Sequence, residues 1–173
     1  MAPYVGLAFV AAHFIAMFSW SNLGPILAID GAQGLKATGL PAPFLMIGVV
    51  LLTAFVELFI GSASAKWAAM APVLAPMMML LGISPEMTTA AFRAGDSALN
   101  MGTPLMVYFP IALAYAQRWR PELGVGGLLA CTLPYSAAFL CSGVLITGLW
   151  AGLHLPPGPA AHVTYSLAQP PSR

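Results

Sequence analysis

Two short polar stretches, Gly61-Ser62-Ala63-Ser64-Ala65-Lys66-Trp67 and Gly95-Asp96-Ser97-Ala98-Leu99-Asn100-Met101-Gly102-Thr103-Pro104, interrupt runs of almost pure hydrocarbon. Small residues, hydroxyls, one acid, one amide and one lysine are not what a lipid-facing helix requires. Non-helical backbone at membrane depth is tolerated only where protein or a water-filled cavity covers it. An ionisable group at that depth is by default a functional one. The chain therefore points to a solute or ion path inside a bilayer and away from soluble chemistry.

Composition supports the membrane half of that reading. Hydrophobic residues make up 60% of the 173 positions and charged residues only 6%, against about 25% charged in an ordinary soluble domain. Six basic and five acidic residues leave a net charge of +1, which offers no surface for nucleic acid. Cys131 and Cys141 lie in one apolar run. On a single helix they stand roughly 15 Å apart, too far for a disulfide, and both are expected to be small core hydrophobes. His13, His154 and His162 are scattered without ligand spacing, which argues against a transition-metal site. The opening Met1-Ala2-Pro3-Tyr4 lacks the basic segment of a secretory signal.

The expected fold is all-α: a polytopic membrane protein with a re-entrant helical hairpin and a discontinuous helix. A first helix is expected over residues 4–29, broken or kinked at Ser21-Asn22-Leu23-Gly24-Pro25, because proline removes a donor and disfavours helix before it. Residues 30–41 read as a glycine-containing connection at water level. Residues 43–81 read as two apolar arms around the Gly61–Ser64 break, each about 25 to 28 Å if helical, close to the ~30 Å hydrocarbon thickness. Hydropathy alone gives two full spans here; the absence of any loop-like length at the break favours a hairpin whose tip stops inside the bilayer. Residues 86–117 read as a broken helix, 123–155 as an uncharged final helix, and 160–173 as a disordered, Pro-rich tail. The positive-inside rule places the Arg118/Arg120 loop in the cytoplasm and the C-terminus outside.

These residues resemble a known family. The run Ile60-Gly61-Ser62-Ala63-Ser64-Ala65-Lys66-Trp67-Ala68, Met70-Ala71-Pro72, Gly95-Asp96-Ser97 with Thr103-Pro104, Leu133-Pro134-Tyr135-Ser136 and Leu155-Pro156-Pro157-Gly158-Pro159 look like the p-aminobenzoyl-glutamate transporter (AbgT) family. The resemblance covers roughly residues 9–159. Members are about three times this length, with an inverted repeat, two re-entrant hairpins and dimeric assembly. The resemblance implies that this chain corresponds to the C-terminal third: one helix, the second hairpin, the broken helix and the last span. It further implies a bacterial inner-membrane location, which with the charge-based orientation puts the C-terminus in the periplasm, and a homodimer in the full-length family. The implied substrate is p-aminobenzoyl-glutamate or a related folate-type or sulfonamide compound. His13 and Glu57 depart from the family pattern, where glutamine and an uncharged residue are expected.

Carried over position by position, the resemblance implies functional roles for Ser64, Trp67, Pro85, Arg93, Asp96 and Pro104. Asp96 reads in two ways: a helix-end acid paired with Arg93 one turn earlier, or a Na⁺ or proton site, since a buried carboxylate must be paired, protonated or bound to a cation. Ser97, Asn100 and Thr103 supply neutral oxygens of the kind hard cations prefer. Ser62 and Ser64 either satisfy backbone donors in a tight turn or line the solute path. Trp67 offers a flat face to an aminobenzoyl ring or sits in an interfacial belt. Lys66 either attracts substrate carboxylates or extends to water, and Glu57 pairs within the bundle. The Met77-Met78-Met79 run is apolar filler, and His13 reads as a hydrogen-bonded core histidine rather than a proton relay. An intramembrane serine protease would need a histidine base beside Ser62 or Ser64; none is placed for it, so no enzyme is expected.

Together these readings give part of a cation-coupled secondary transporter with no resident cofactor beyond the coupling ion. The second reading is a membrane fragment with a scaffold or assembly role. Alternating access rocks two bundles around a shared midplane site, so a chain with one hairpin and one broken helix is not expected to transport unaided.

Overall fold

The computed structural model describes residues 9, 12–13, 16–18, 20–106, 108–159 and 161–165. These form six α-helices: α1 (Leu23–Ala37), α2 (Ala42–Glu57), α3 (Ala63–Leu80), α4 (Pro85–Leu99), α5 (Phe109–Gln117) and α6 (Val125–Gly152). A 3₁₀ turn over Asn100–Gly102 continues α4 before the chain breaks. The described residues contain no strand, only an isolated bridge between Ile83 and Thr164. The fold is all-α with the expected helical hairpin and discontinuous helix. Helix α6 alone among the described elements is long and apolar enough to cross a membrane; α2 is apolar but shorter.

Local chemistry sets the boundaries. Ser62 caps α3 by accepting from the Ala65 amide, and Ser84 caps α4 by accepting from the Met87 amide, with Pro85 in the first helical turn. Proline there gives up a donor that has no helical partner anyway. Helix α3 ends in a Schellman turn: Ile83 N–H donates to Met78 O across Gly82, whose φ is 81°, a conformation glycine adopts without a Cβ penalty.

The first helix differs from expectation. Asn22 adopts a left-handed backbone (φ 53°) and the helix starts afresh at Leu23, so the break falls at the expected Ser21–Pro25 segment. The helix then runs on to Ala37 rather than giving way to a connection at residue 30. Gly31 explains the misreading: a Cβ there would lie 2.6 Å from Met77 Sδ. The glycine permits close helix packing rather than marking a loop. Most of the stretch before residue 20 lies outside the described residues; within it His13 is exposed rather than in the core, its ring nitrogen 3.2 Å from Phe9 O one helical turn earlier.

Helices α2, α4 and α6 pack on one another, and α1 lies against α3. The two hairpin arms touch each other little; α2 is held chiefly by α4 and α6. The core joins Met46, Val49 and Val50 of α2 to Leu74 and Met78 of α3 and to Met87 and Ala91 of α4. The α2–α4 crossing is closest at Gly95, where an added Cβ would meet Val50 O at 2.3 Å. Part of the tail expected to be disordered is ordered instead. Ser84 N–H donates to Val163 O and Tyr165 N–H to Gly82 O, because the turn after α3 leaves free backbone groups that a short extended segment satisfies.

Candidate functional site

Glu57 is the last residue of α2, Lys66 lies in the first turn of α3, and Asp96 lies in the last turn of α4. The hairpin tip folds the first two together, and the Gly95 crossing brings the third against them. Lys66 is fully buried, as is Glu57, and Asp96 is 5% exposed. The Lys66 ammonium donates to Glu57 Oε2 and lies 2.8 Å from Asp96 Oδ1. The Asp96 contact is ionic rather than directional, since Oδ1 receives no aligned hydrogen bond; Glu57 Oε1 is likewise buried without a donor.

Arg93 Nη1 stands 3.9 Å from Asp96 Oδ2, one helical turn away, with a side chain 59% exposed. An exposed pair of this kind contributes about 0–1 kcal/mol, whereas breaking a buried pair costs about 3–5 kcal/mol. The dominant partner of Asp96 is therefore Lys66, not Arg93. Lys66 neither extends to water nor stands free for a substrate carboxylate, because burial closes the first route and two acids occupy the charge. Glu57 pairs inside the bundle as expected, and its partner is Lys66. It also sits at the C-terminal, negative end of a helix, where a carboxylate is unfavourable, and the ammonium offsets that cost.

The other expected residues divide by location. Trp67 packs at a tilt against Phe92, with ring centroids 4.7 Å apart, and Phe92 also lies 5.8 Å from the Lys66 ammonium and 6.0 Å from the Arg93 guanidinium. Trp67 is thus next to the charge cluster and not at a hairpin base. Ser62 serves the turn, as one of its two readings held, while Ser64 is exposed beside it. The tip also meets the break in the discontinuous helix: a Cβ at Gly61 would lie 2.9 Å from Leu105 O. Asn100 is half-buried in the 3₁₀ turn, Pro104 is exposed, and Thr103 is buried with its Oγ1 accepting from Leu105 N–H. Pro85 stands apart. It opens α4 eleven residues before Asp96, about 16 Å along the axis, so its role in this structure is to start the helix.

Two features escaped the sequence reading. Ser136, in the middle of α6, is fully buried with an unpartnered Oγ, and faces Gly102, whose added Cβ would lie 2.9 Å from it. A crevice of about 570 Å³ between α1, α2 and α3 is lined by Gly31, Gly48, Val49, Leu74 and Met77 among others. It is almost wholly apolar and contains none of the charged residues. Among the described residues no cluster of His, Cys, Asp and Glu has metal-ligating geometry.

The profile of the AbgT putative transporter family matches residues 1–165. This chain belongs to that family. It is 35% identical over 162 residues to the p-aminobenzoyl-glutamate transport protein of Escherichia coli (strain K12), covering 94% of this chain and 32% of that protein. Its fold is similar to the crystal structure of the Alcanivorax borkumensis YdaH transporter, described as having an unusual topology, with a TM-score of 0.83 and 50% identity over 92% of this chain and 34% of that one. It is also similar to Neisseria gonorrhoeae MtrF, described within a class of antimetabolite efflux pumps, with a TM-score of 0.75 and 45% identity over 85% of this chain and 29% of that one. The AbgT chain spans about a third of the length of these relatives. They are transporters and membrane proteins, not enzymes.

Proposed function

We propose that this AbgT chain supplies the second hairpin and the broken helix of a cation-coupled secondary transporter. Its substrates would be p-aminobenzoyl-glutamate or related folate-type and sulfonamide compounds, moved across a bacterial inner membrane by a homodimeric assembly. The Arg118/Arg120 loop would face the cytoplasm and the C-terminus the periplasm. The names of the E. coli and N. gonorrhoeae relatives support the substrate class.

One observation carries the coupling half: a buried cluster of two acids and one base joins the two arms of the hairpin, beside its tip, to the last turn of α4 ahead of the helix break. An excess negative charge out of water must be balanced by a cation or a proton. Glu57 Oε1, buried without a hydrogen-bond donor, suits such a guest, as do the negative C-terminal ends of α2 and α4, where the two acids sit. Asp96 is the acid for the coupling ion, with Asn100 and Thr103 nearby. Ser64, Trp67 and Arg93 line the route: Trp67 offers a ring face to the aminobenzoyl group and Arg93 a guanidinium to the glutamate carboxylates. Binding of p-aminobenzoyl-glutamate to the chain in lipid nanodiscs tests the route. Trp67→Ala with Arg93→Ala should weaken it at least tenfold; unchanged binding would remove these residues from the path.

A further inference from the structure

The charge cluster contains its own cation. Lys66 is tethered in the first turn of α3 and can satisfy either of two acids, yet its two contacts are unequal. To Glu57 it donates a directional hydrogen bond; to Asp96 it makes a 2.8 Å ionic contact on an oxygen that receives no aligned donor. The only further charge facing Asp96 among the described residues is Arg93, which is 59% exposed and 3.9 Å away, where solvent screens it. The buried set holds two acids against one base, and both carboxylates draw on the same ammonium.

We propose that Glu57 is a positioning residue for the coupling-ion site: by sharing the Lys66 ammonium, it weakens the lysine's hold on Asp96 so that Na⁺ can compete for that carboxylate. Lys66 is in turn a tethered competitor for Asp96. This rests on the reading of Asp96 as the coupling acid given above. Without Glu57 the ammonium has one buried carboxylate left, and an unpaired buried charge is strongly disfavoured. Lys66 then settles fully on Asp96, and Na⁺ must displace it to bind. Glu57 thus sets how much Na⁺ the site requires, by controlling where the lysine rests rather than by touching the ion.

The test is Na⁺-dependent thermal stabilisation of the 173-residue chain in nanodiscs, with choline replacing Na⁺ at constant ionic strength. In the wild type, Na⁺ should raise the melting temperature saturably, and Asp96→Asn should abolish the response. Glu57→Gln should raise the half-saturating Na⁺ concentration at least tenfold. Glu57→Gln combined with Lys66→Met should bring it back to the wild-type value or below, because guard and competitor leave together. The double variant leaves Asp96 as the one buried acid of the set, to be balanced by Na⁺ or a proton. A double variant as weak as Glu57→Gln would make Glu57 a direct ligand and overturn the inference, as would a wild-type response that Glu57→Gln leaves unchanged. A wild type with no Na⁺ response would overturn both the inference and the assignment of a Na⁺ site to Asp96.

Discussion

Lys66 Nζ lies 2.8 Å from Asp96 Oδ1, tying the first turn of α3 to the last turn of α4. With the Glu57 hydrogen bond it makes one ammonium the common anchor of three helices. Lys66→Met should consequently be costly, by about 3–5 kcal/mol, because two buried carboxylates lose their only buried partner. Thermal unfolding in nanodiscs measures this. Arg93→Met, which removes a screened and exposed charge, should cost about 1 kcal/mol or less. Comparable losses for the two would mean that Lys66 is not the anchor.

Gly95 is a second fixed point. A Cβ there would lie 2.3 Å from Val50 O and 2.9 Å from Thr53 Cβ, both in the α2 backbone or close to it, so α2 and α4 must move apart. Gly95→Ala should destabilise by about 1–3 kcal/mol and shift Asp96, the next residue. Gly48→Ala, in the same helix α2 with nothing within 4 Å of the new methyl, should be neutral or gain up to ~1 kcal/mol from helix propensity. Melting temperatures of the two variants give the contrast directly.

The hairpin arms, 16 and 18 residues, are about 24 and 27 Å long, short of a comfortable full crossing. A tip that stops inside the bilayer should label slowly. Cys131 and Cys141 are exposed on α6 rather than in the core as expected, and must first be replaced by serine. Ser64→Cys should then react with an impermeant maleimide at least tenfold more slowly than Arg118→Cys in inside-out vesicles. Equal rates would favour two full spans.

Much of this was readable in the chain because the responsible residues act locally. Ser62 and Ser84 with Pro85 announce helix starts, and Gly102-Thr103-Pro104 announces the break. What escaped depends on tertiary proximity. Nothing in the spacing of Glu57 and Lys66 says that the tip folds so as to bury both, nor that Asp96 joins them through the Gly95 crossing. Gly31 reads as a loop residue until Met77 is seen against it. The pairing of residues 163–165 with 82–84 needs knowledge of which backbone groups the α3 turn leaves open. Ser136 carries no local signal, since one hydroxyl in a long apolar helix usually serves its own backbone.

The central claim is that Asp96 links ion and substrate. The most direct measurement is p-aminobenzoyl-glutamate affinity of the wild type and of Asp96→Asn, each with and without Na⁺, in nanodiscs and with folding checked by circular dichroism. In the wild type Na⁺ should tighten binding at least tenfold, a coupling of about 1.4 kcal/mol. In Asp96→Asn the protein should remain folded and bind the substrate with the same affinity in either condition. An Asp96→Asn variant that keeps the wild-type Na⁺ dependence would contradict the claim and make Asp96 a structural partner of Lys66.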